Sequence, residues 1–169
     1  MYRSQFLLVG IIAPTTFIGS MAVHLARHPE HHNALRADPS LILDATEELL
    51  RLYTPYRGFA RTARADTQIA GCPIKAGDPV AVVFTSANRD GEIFPDPHSY
   101  RLDRPARDLL TFGRGPHMCP GAPLARLLLR EVLLQFTAKI TRFEQISPIE
   151  MTRWPEYGPL SVSFRVAPA

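Results

Sequence analysis

Phe112-Gly-Arg-Gly-Pro-His-Met-Cys-Pro-Gly-Ala-Pro-Leu-Ala-Arg126 places a single cysteine, Cys119, in a glycine-rich loop that runs straight into an apolar-periodic segment. The segment predicts a helix from Pro120 or Ala122 to about Thr141, with apolar residues at helical spacing. A thiolate at a helix start gains from exposed amide groups and from the positive end of the helix dipole. Gly113, Gly115 and Gly121 let the backbone approach a flat, bulky partner and turn amides toward the sulfur. A lone cysteine is more often a small buried hydrophobe, but here its setting favours a metal-ligand role.

Outward from this loop the chain reads as mainly helical with a small antiparallel β component. Residues 5–28 predict a helix interrupted or kinked between Gly10 and Pro14, because Pro14 has no amide proton and crowds the preceding turn. His28-Pro29-Glu30 is a stop and restart, a short helix follows to about Ala37, and Asp38-Pro39-Ser40 opens another over Leu41 to Tyr53. From Gly58 to Phe84, alternation and turn residues predict a small antiparallel sheet, with Val80 to Phe84 as its last strand. Residues 86–111 are irregular, and a stretch of that length is usually functional. Arg142 to Ala167 read as strands and turns.

Composition narrows the function. The 169 residues carry a net charge of +3 but only two lysines, Lys75 and Lys139, which argues against a nucleic-acid surface. Cys72 and Cys119 are too few for a disulfide framework or a four-cysteine zinc site. Nothing else points to secretion, so we expect free thiols in a reducing cytoplasm. Ser4 to Ala26 carry no Asp, Glu, Lys or Arg, a pattern shared by membrane spans and buried core helices. The polar load of Thr15, Thr16, Ser20 and His24 favours the buried helix, with no membrane partner.

The pattern Phe-Gly-x-Gly-x-His-x-Cys-x-Gly-x-x-Leu-Ala-Arg closely resembles the haem-ligand loop of the cytochrome P-450 family and matches its nine fixed positions. The resemblance, to the bacterial, soluble members, implies haem b (iron protoporphyrin IX) as cofactor and Cys119 as axial ligand to its iron. It implies Phe112 packed beside the thiolate, and His117 and Arg61 on the haem propionates; a guanidinium suits a carboxylate. Glu48-Leu49-Leu50-Arg51 resembles the family's Glu-x-x-Arg motif, an ion pair natural to helix spacing. The resemblance adds Arg104 as a third, structural member. Asn88-Arg89-Asp90 and Phe94-Pro95-Asp96-Pro97 match the bacterial members as well.

The implied reaction is a monooxygenase reaction: O2 is activated at the thiolate-ligated haem and a hydrophobic small molecule is hydroxylated. A ferredoxin-type donor would dock on the basic face of Arg114, Arg126 and Arg130. The substrate would meet Ile11 to Thr15, Tyr56 to Ala60 and Gly158 to Leu160. One departure stands out. The positions where most members carry an acid and an alcohol beside the oxygen site hold Ile12 and Ala13, with Thr15 and Thr16 nearby. Proton delivery then falls to a displaced threonine, to substrate or water, or to a peroxide route; the alternative is a haem-binding remnant without competent oxygenase activity. The resemblance runs from the family's central long helix to its C-terminal strands. Residues 1–169 are therefore expected to form one C-terminal, haem-binding portion, truncated relative to the family, with an apolar face of the first helix uncovered.

Overall fold

The computed structural model describes residues 2–105 and 108–169, with side chains from residue 8 onward. Helix α1 (Tyr2–Arg27) is followed by α2 (Pro29–Ala37), a 3-10 turn (Pro39–Leu41) and α3 (Ile42–Leu52). Strands β1 (Gly58–Thr62), β2 (Thr67–Ile69), β3 (Cys72–Ile74) and β4 (Pro79–Val83) lead into a single helical turn, α4 (Phe84–Ala87). A largely irregular segment then reaches a 3-10 turn (Gly115–His117) and α5 (Ala122–Lys139). Strands β5 (Ile140–Gln145), β6 (Glu150–Met151), β7 (Pro159–Ser161) and β8 (Phe164–Pro168) complete the chain.

Local chemistry sets these boundaries. Pro29 opens α2 at a position where its missing amide loses nothing. Asp38 caps the next turn, accepting from the Ser40 amide at 3.0 Å and its hydroxyl at 2.6 Å. Arg36 donates to the Ile140 carbonyl at 2.8 Å and to Thr137, occupying carbonyls that α5 leaves open at its C-terminus. The core gathers Phe17, Met21 and Leu25 of α1, Leu35 of α2, Ala45 and Leu49 of α3, Leu133 of α5 and Phe143 of β5.

Two sequence expectations change. The interruption between Gly10 and Pro14 does not occur; one helix runs from Tyr2 to Arg27 with Pro14 inside it. An interior proline costs about 3 kcal/mol or more. The turns that follow bury Phe17, Met21, Ala22, Val23 and Leu25, and tertiary packing of that kind outweighs local propensity. The region from Gly58 to Phe84 is not one sheet but two antiparallel pairs, β1–β4 and β2–β3. The strand β4 stops at Val83 because Phe84 turns inward, buried edge-on to Phe59 with ring centroids 5.9 Å apart.

Within α1, the stretch Leu8–Arg27 is long and apolar enough to cross a membrane by length and composition. Its halves differ: Phe17, Met21, Ala22, Val23 and Leu25 are buried, whereas Leu8, Val9, Ile11 and Ile12 are exposed. The strand β7 packs across the middle of α1, with Pro159 against Gly19. Gly158 has φ +152°, and a Cβ there would lie 2.5 Å from Thr16 Cγ2 and 2.8 Å from Ser20 Oγ. Gly158→Ala should therefore lose about 1–3 kcal/mol in chemical denaturation through overpacking. Gly10 has nothing within 4 Å of its Cβ position, so Gly10→Ala in the same helix should gain about 0.5–1 kcal/mol.

Candidate functional site

The irregular segment is organised by one guanidinium. Arg51 is 1% exposed and three residues from Glu48, so both point inward from the same face of α3. Arg51 Nε donates to Glu48 Oε2 at 2.8 Å and Nη2 to Oε1 at 2.7 Å, a forked, charge-assisted pair. The remaining N–H groups reach the carbonyls of Asn88 (3.0 Å), Pro97 (2.7 Å) and Ser99 (3.1 Å). Each of the five guanidinium N–H donors thus has an acceptor. Arg104 adds its Nε to Glu48 Oε1 at 3.3 Å and holds Pro95 and Asp96 by their carbonyls, at 2.6 and 2.7 Å. The Arg101 amide also donates to Glu48 at 3.0 Å. Burial first, and the Glu48 carboxylate second, push the Tyr100 phenol pKa upward.

From there a second set of polar contacts leads to the cysteine loop. Asn88 is fully buried; its side-chain amide donates to Thr54 Oγ1 at 2.7 Å and Thr111 Oγ1 at 2.8 Å, and its oxygen accepts from the Leu110 amide at 2.8 Å. Thr111 in turn donates to the Leu50 carbonyl on α3 at 2.9 Å. Residues 110 and 111 are thus fastened to α3 immediately before Phe112.

The loop closes on itself through its backbone. The Cys119 amide donates to the Phe112 carbonyl at 2.8 Å, Met118 to Gly115 at 3.0 Å and Gly113 to Leu110 at 2.8 Å. Gly113 (φ +69°) and Gly115 (φ +72°) both occupy the left-handed region, which a side chain would strain. Phe112 is roofed by Arg126, whose guanidinium carbon lies 4.6 Å from the ring centroid. Arg126 is held there by Glu47 through bonds of 2.6 and 3.0 Å, tying α5 to α3.

Cys119 and Cys72 are both free, Cys119 half-buried and Cys72 exposed. Among the described residues no hydrogen bond occupies the Cys119 thiol. A Cβ added at Gly121 would sit 3.8 Å from Cys119 Sγ, so glycine keeps that flank clear. One unengaged thiol, an open flank and a following helix suit an axial thiolate ligand to a flat macrocycle. These residues fit haem.

The other sequence-derived candidates lie apart from this network. His117 ends the 3-10 turn and is exposed. Arg61 is exposed on β1, opposite Val80, with its guanidinium on the neighbouring Ala60 carbonyl at 3.0 Å. Thr15 is exposed and its hydroxyl donates to the Ile11 carbonyl at 2.7 Å, while Thr16 is buried beneath Gly158. Of the three segments read as facing a substrate, Tyr56 bridges to Glu156, the Tyr157 amide donates to the Pro55 carbonyl at 2.7 Å, and Gly158 meets α1. Tyr56 thus lies beside the chain that leads to Gly158, and Gly158 packs on Thr16 and Ser20, just beyond the Ile11 to Thr15 stretch.

A family model described as Cytochrome P450 matches residues 15–160. The chain belongs to this family. Among curated relatives, it is 40% identical over 150 residues to a vitamin D3 dihydroxylase of Streptomyces griseolus, covering 87% of this chain and 37% of the relative. It is 35% identical over 142 residues to a beta-dihydromenaquinone-9 omega-hydroxylase of Mycobacterium tuberculosis, covering 84% and 29%. The cytochrome P450 CYP150A6 of Mycobacterium marinum, in its substrate-free form, superposes with a TM-score of 0.91 at 30% identity, over 97% of this chain and 43% of that one. The chain thus spans well under half the length of these cytochrome P450 relatives. The helix-rich architecture with small antiparallel sheets is that of part of the P450 fold.

Sequence reasoning did not assign roles to Asn88, Thr54, Thr111 or Glu47. Asn88 was visible only inside the Asn88-Arg89-Asp90 match, and a buried amide has no periodicity to betray it. Arg126 reads from sequence as surface charge, yet Glu47 compensates it. Removing the organising cation should be severe. Arg51→Met is expected to lose about 3–5 kcal/mol in urea denaturation, because Glu48 is left buried with its better partner gone.

Proposed function

We propose that this chain is the haem-ligating portion of a soluble, cytoplasmic cytochrome P450 monooxygenase. Such an enzyme is an oxidoreductase that acts on paired donors with incorporation of O2. The observation that carries the reading is Cys119: a free thiol at the end of a backbone-closed glycine loop, three residues before α5. Haem bound through a thiolate supplies activation of O2 for insertion of oxygen into an unactivated C–H bond.

The chain's own residues have separable tasks. Cys119 supplies the sulfur, and Gly113, Gly115 and Gly121 keep side chains from the macrocycle's approach. Phe112, pinned by Arg126, limits water at the ligand side. His117 and Arg61 carry donors suited to propionate carboxylates, and their exposure leaves them free to turn toward one. Glu48, Arg51 and Arg104 hold the loop in place and take no part in the chemistry. Thr15 and Thr16 are the hydroxyls nearest the positions held by Ile12 and Ala13, and we assign them proton delivery. The apolar side chains of Leu8, Val9, Ile11 and Ile12 suit a hydrophobic small molecule. A ferredoxin-type donor would meet the face of α5 bearing exposed Arg130.

A second reading, haem binding without turnover, draws support from one observation. Thr15, the more exposed hydroxyl of the pair, is engaged by the Ile11 carbonyl. Haem titration and turnover separate the two. Equimolar haem should bind, and the reduced, carbon-monoxide-bound form should give the Soret band of thiolate ligation, lost in Cys119→Ala. Absence of that band in the unsubstituted chain would overturn the ligand assignment. The band without product formation from donor, O2 and substrate would favour the second reading.

A further inference from the structure

The corner between α1 and α2 carries His24, His28, Glu30 and His31 within one short stretch, a grouping that haem ligation through Cys119 leaves unused. His28 Nδ1 lies 3.1 Å from Glu30 Oε1, and His31 Nε2 lies 3.8 Å from the same oxygen. One donor atom from each of the three residues falls within 4.8 Å of the other two. Donors held at about 2.0–2.1 Å from a tetrahedral ion are themselves about 3.3–3.5 Å apart, so modest rotamer adjustment brings all three onto one ion.

We propose that His28, Glu30 and His31 form a binding site for a divalent cation of the zinc class, independent of the haem ligand. Two imidazole nitrogens and one carboxylate oxygen are the donor set zinc accepts, with a fourth position left to water. Pro29 opens α2 between the first two ligands, so His28 stands outside the helix at φ −127° and folds back over the first turn. The side chains of His28 (43%), Glu30 (62%) and His31 (26%) are exposed enough to admit an ion from solvent.

A hydrogen-bonded row behind the cluster strengthens the assignment. His31 Nδ1 is 3.0 Å from His24 Nε2, and His24 Nδ1 is 2.9 Å from the Tyr53 hydroxyl. With His31 donating to His24 and His24 donating to the Tyr53 oxygen, the lone pair of His31 Nε2 is left to face Glu30. Metal-ligating histidines recurrently use their other ring N–H in this way, which fixes both tautomer and ring direction. Tyr100 stacks on the same ring, with centroids 4.2 Å apart and planes 28° from parallel. His31 is thus clamped before any ion arrives. A bound cation would link the residue that leaves α1 to the first turn of α2.

The test is equilibrium dialysis of the untagged, chelator-treated chain against zinc ion at pH 7. One equivalent should bind, and excess zinc should raise the unfolding midpoint of this chain. Glu30→Gln at an exposed position and His28→Ala at a half-buried one should each weaken binding by about tenfold or more with an unchanged circular dichroism spectrum. Cys119→Ser and Cys72→Ser should leave binding intact. Failure to bind zinc would overturn the proposal. So would binding that survives Glu30→Gln and His28→Ala but is lost with either cysteine.

Discussion

A buried cation with no water must find an acceptor for each of its protons, and that demand at Arg51 shapes the centre of this structure. Glu48 satisfies two of the five donors and the carbonyls of Asn88, Pro97 and Ser99 the other three. A segment whose own backbone bonds, among the described residues, are those of isolated turns is thereby wrapped around α3. Arg104 closes the arrangement from the far side through Glu48, Pro95 and Asp96. The irregular segment is ordered by a side chain rather than by a ladder.

The same constraint reaches the thiol. Fixing the Asn88 backbone on Arg51 places the Asn88 side chain between Thr54 and Thr111, and Thr111 is anchored to the Leu50 carbonyl. Phe112 follows directly, and its carbonyl receives the Cys119 amide. A second tie comes from the other direction, because Glu47 on α3 holds Arg126 over the Phe112 ring. Adjacent carboxylates on one helix thus serve two different parts of the loop. Glu48 acts from within, through the irregular segment, and Glu47 from the side, through α5. A ligand loop rich in glycine gains its definition from these neighbours rather than from its own side chains.

Much of this was legible in the sequence, for identifiable reasons. Helices α3 and α5 announce themselves by apolar spacing, and the Pro29, Asp38-Pro39-Ser40 and Pro120 positions mark where α2, the turn into α3 and the approach to α5 begin, all local signals. Family membership was readable from the Phe112–Arg126 pattern. Pro14 does not end the helix, because its local penalty says nothing of the core that Phe17 to Leu25 join on the far side of it. Phe84 misled because a strand pattern does not reveal that its last apolar residue turns inward against Phe59. Asn88 and Thr111 meet across 23 positions of irregular chain, so no window of sequence contains both partners of the contact. The pairing of Arg126 with Glu47 spans 79 positions and was hidden for the same reason.

The central claim is that the Glu48–Arg51 pair holds the cysteine loop through Asn88 and Thr111. Amide hydrogen exchange, read by mass spectrometry on the unsubstituted chain and on Glu48→Gln, tests it most directly. Opening of that network should speed exchange at the amides of Asn88, Arg101, Leu110 and Cys119, while the β5–β8 pair and α2 keep their protection. Unchanged exchange at Leu110 and Cys119, or an equal loss of protection in β5–β8, would contradict the account.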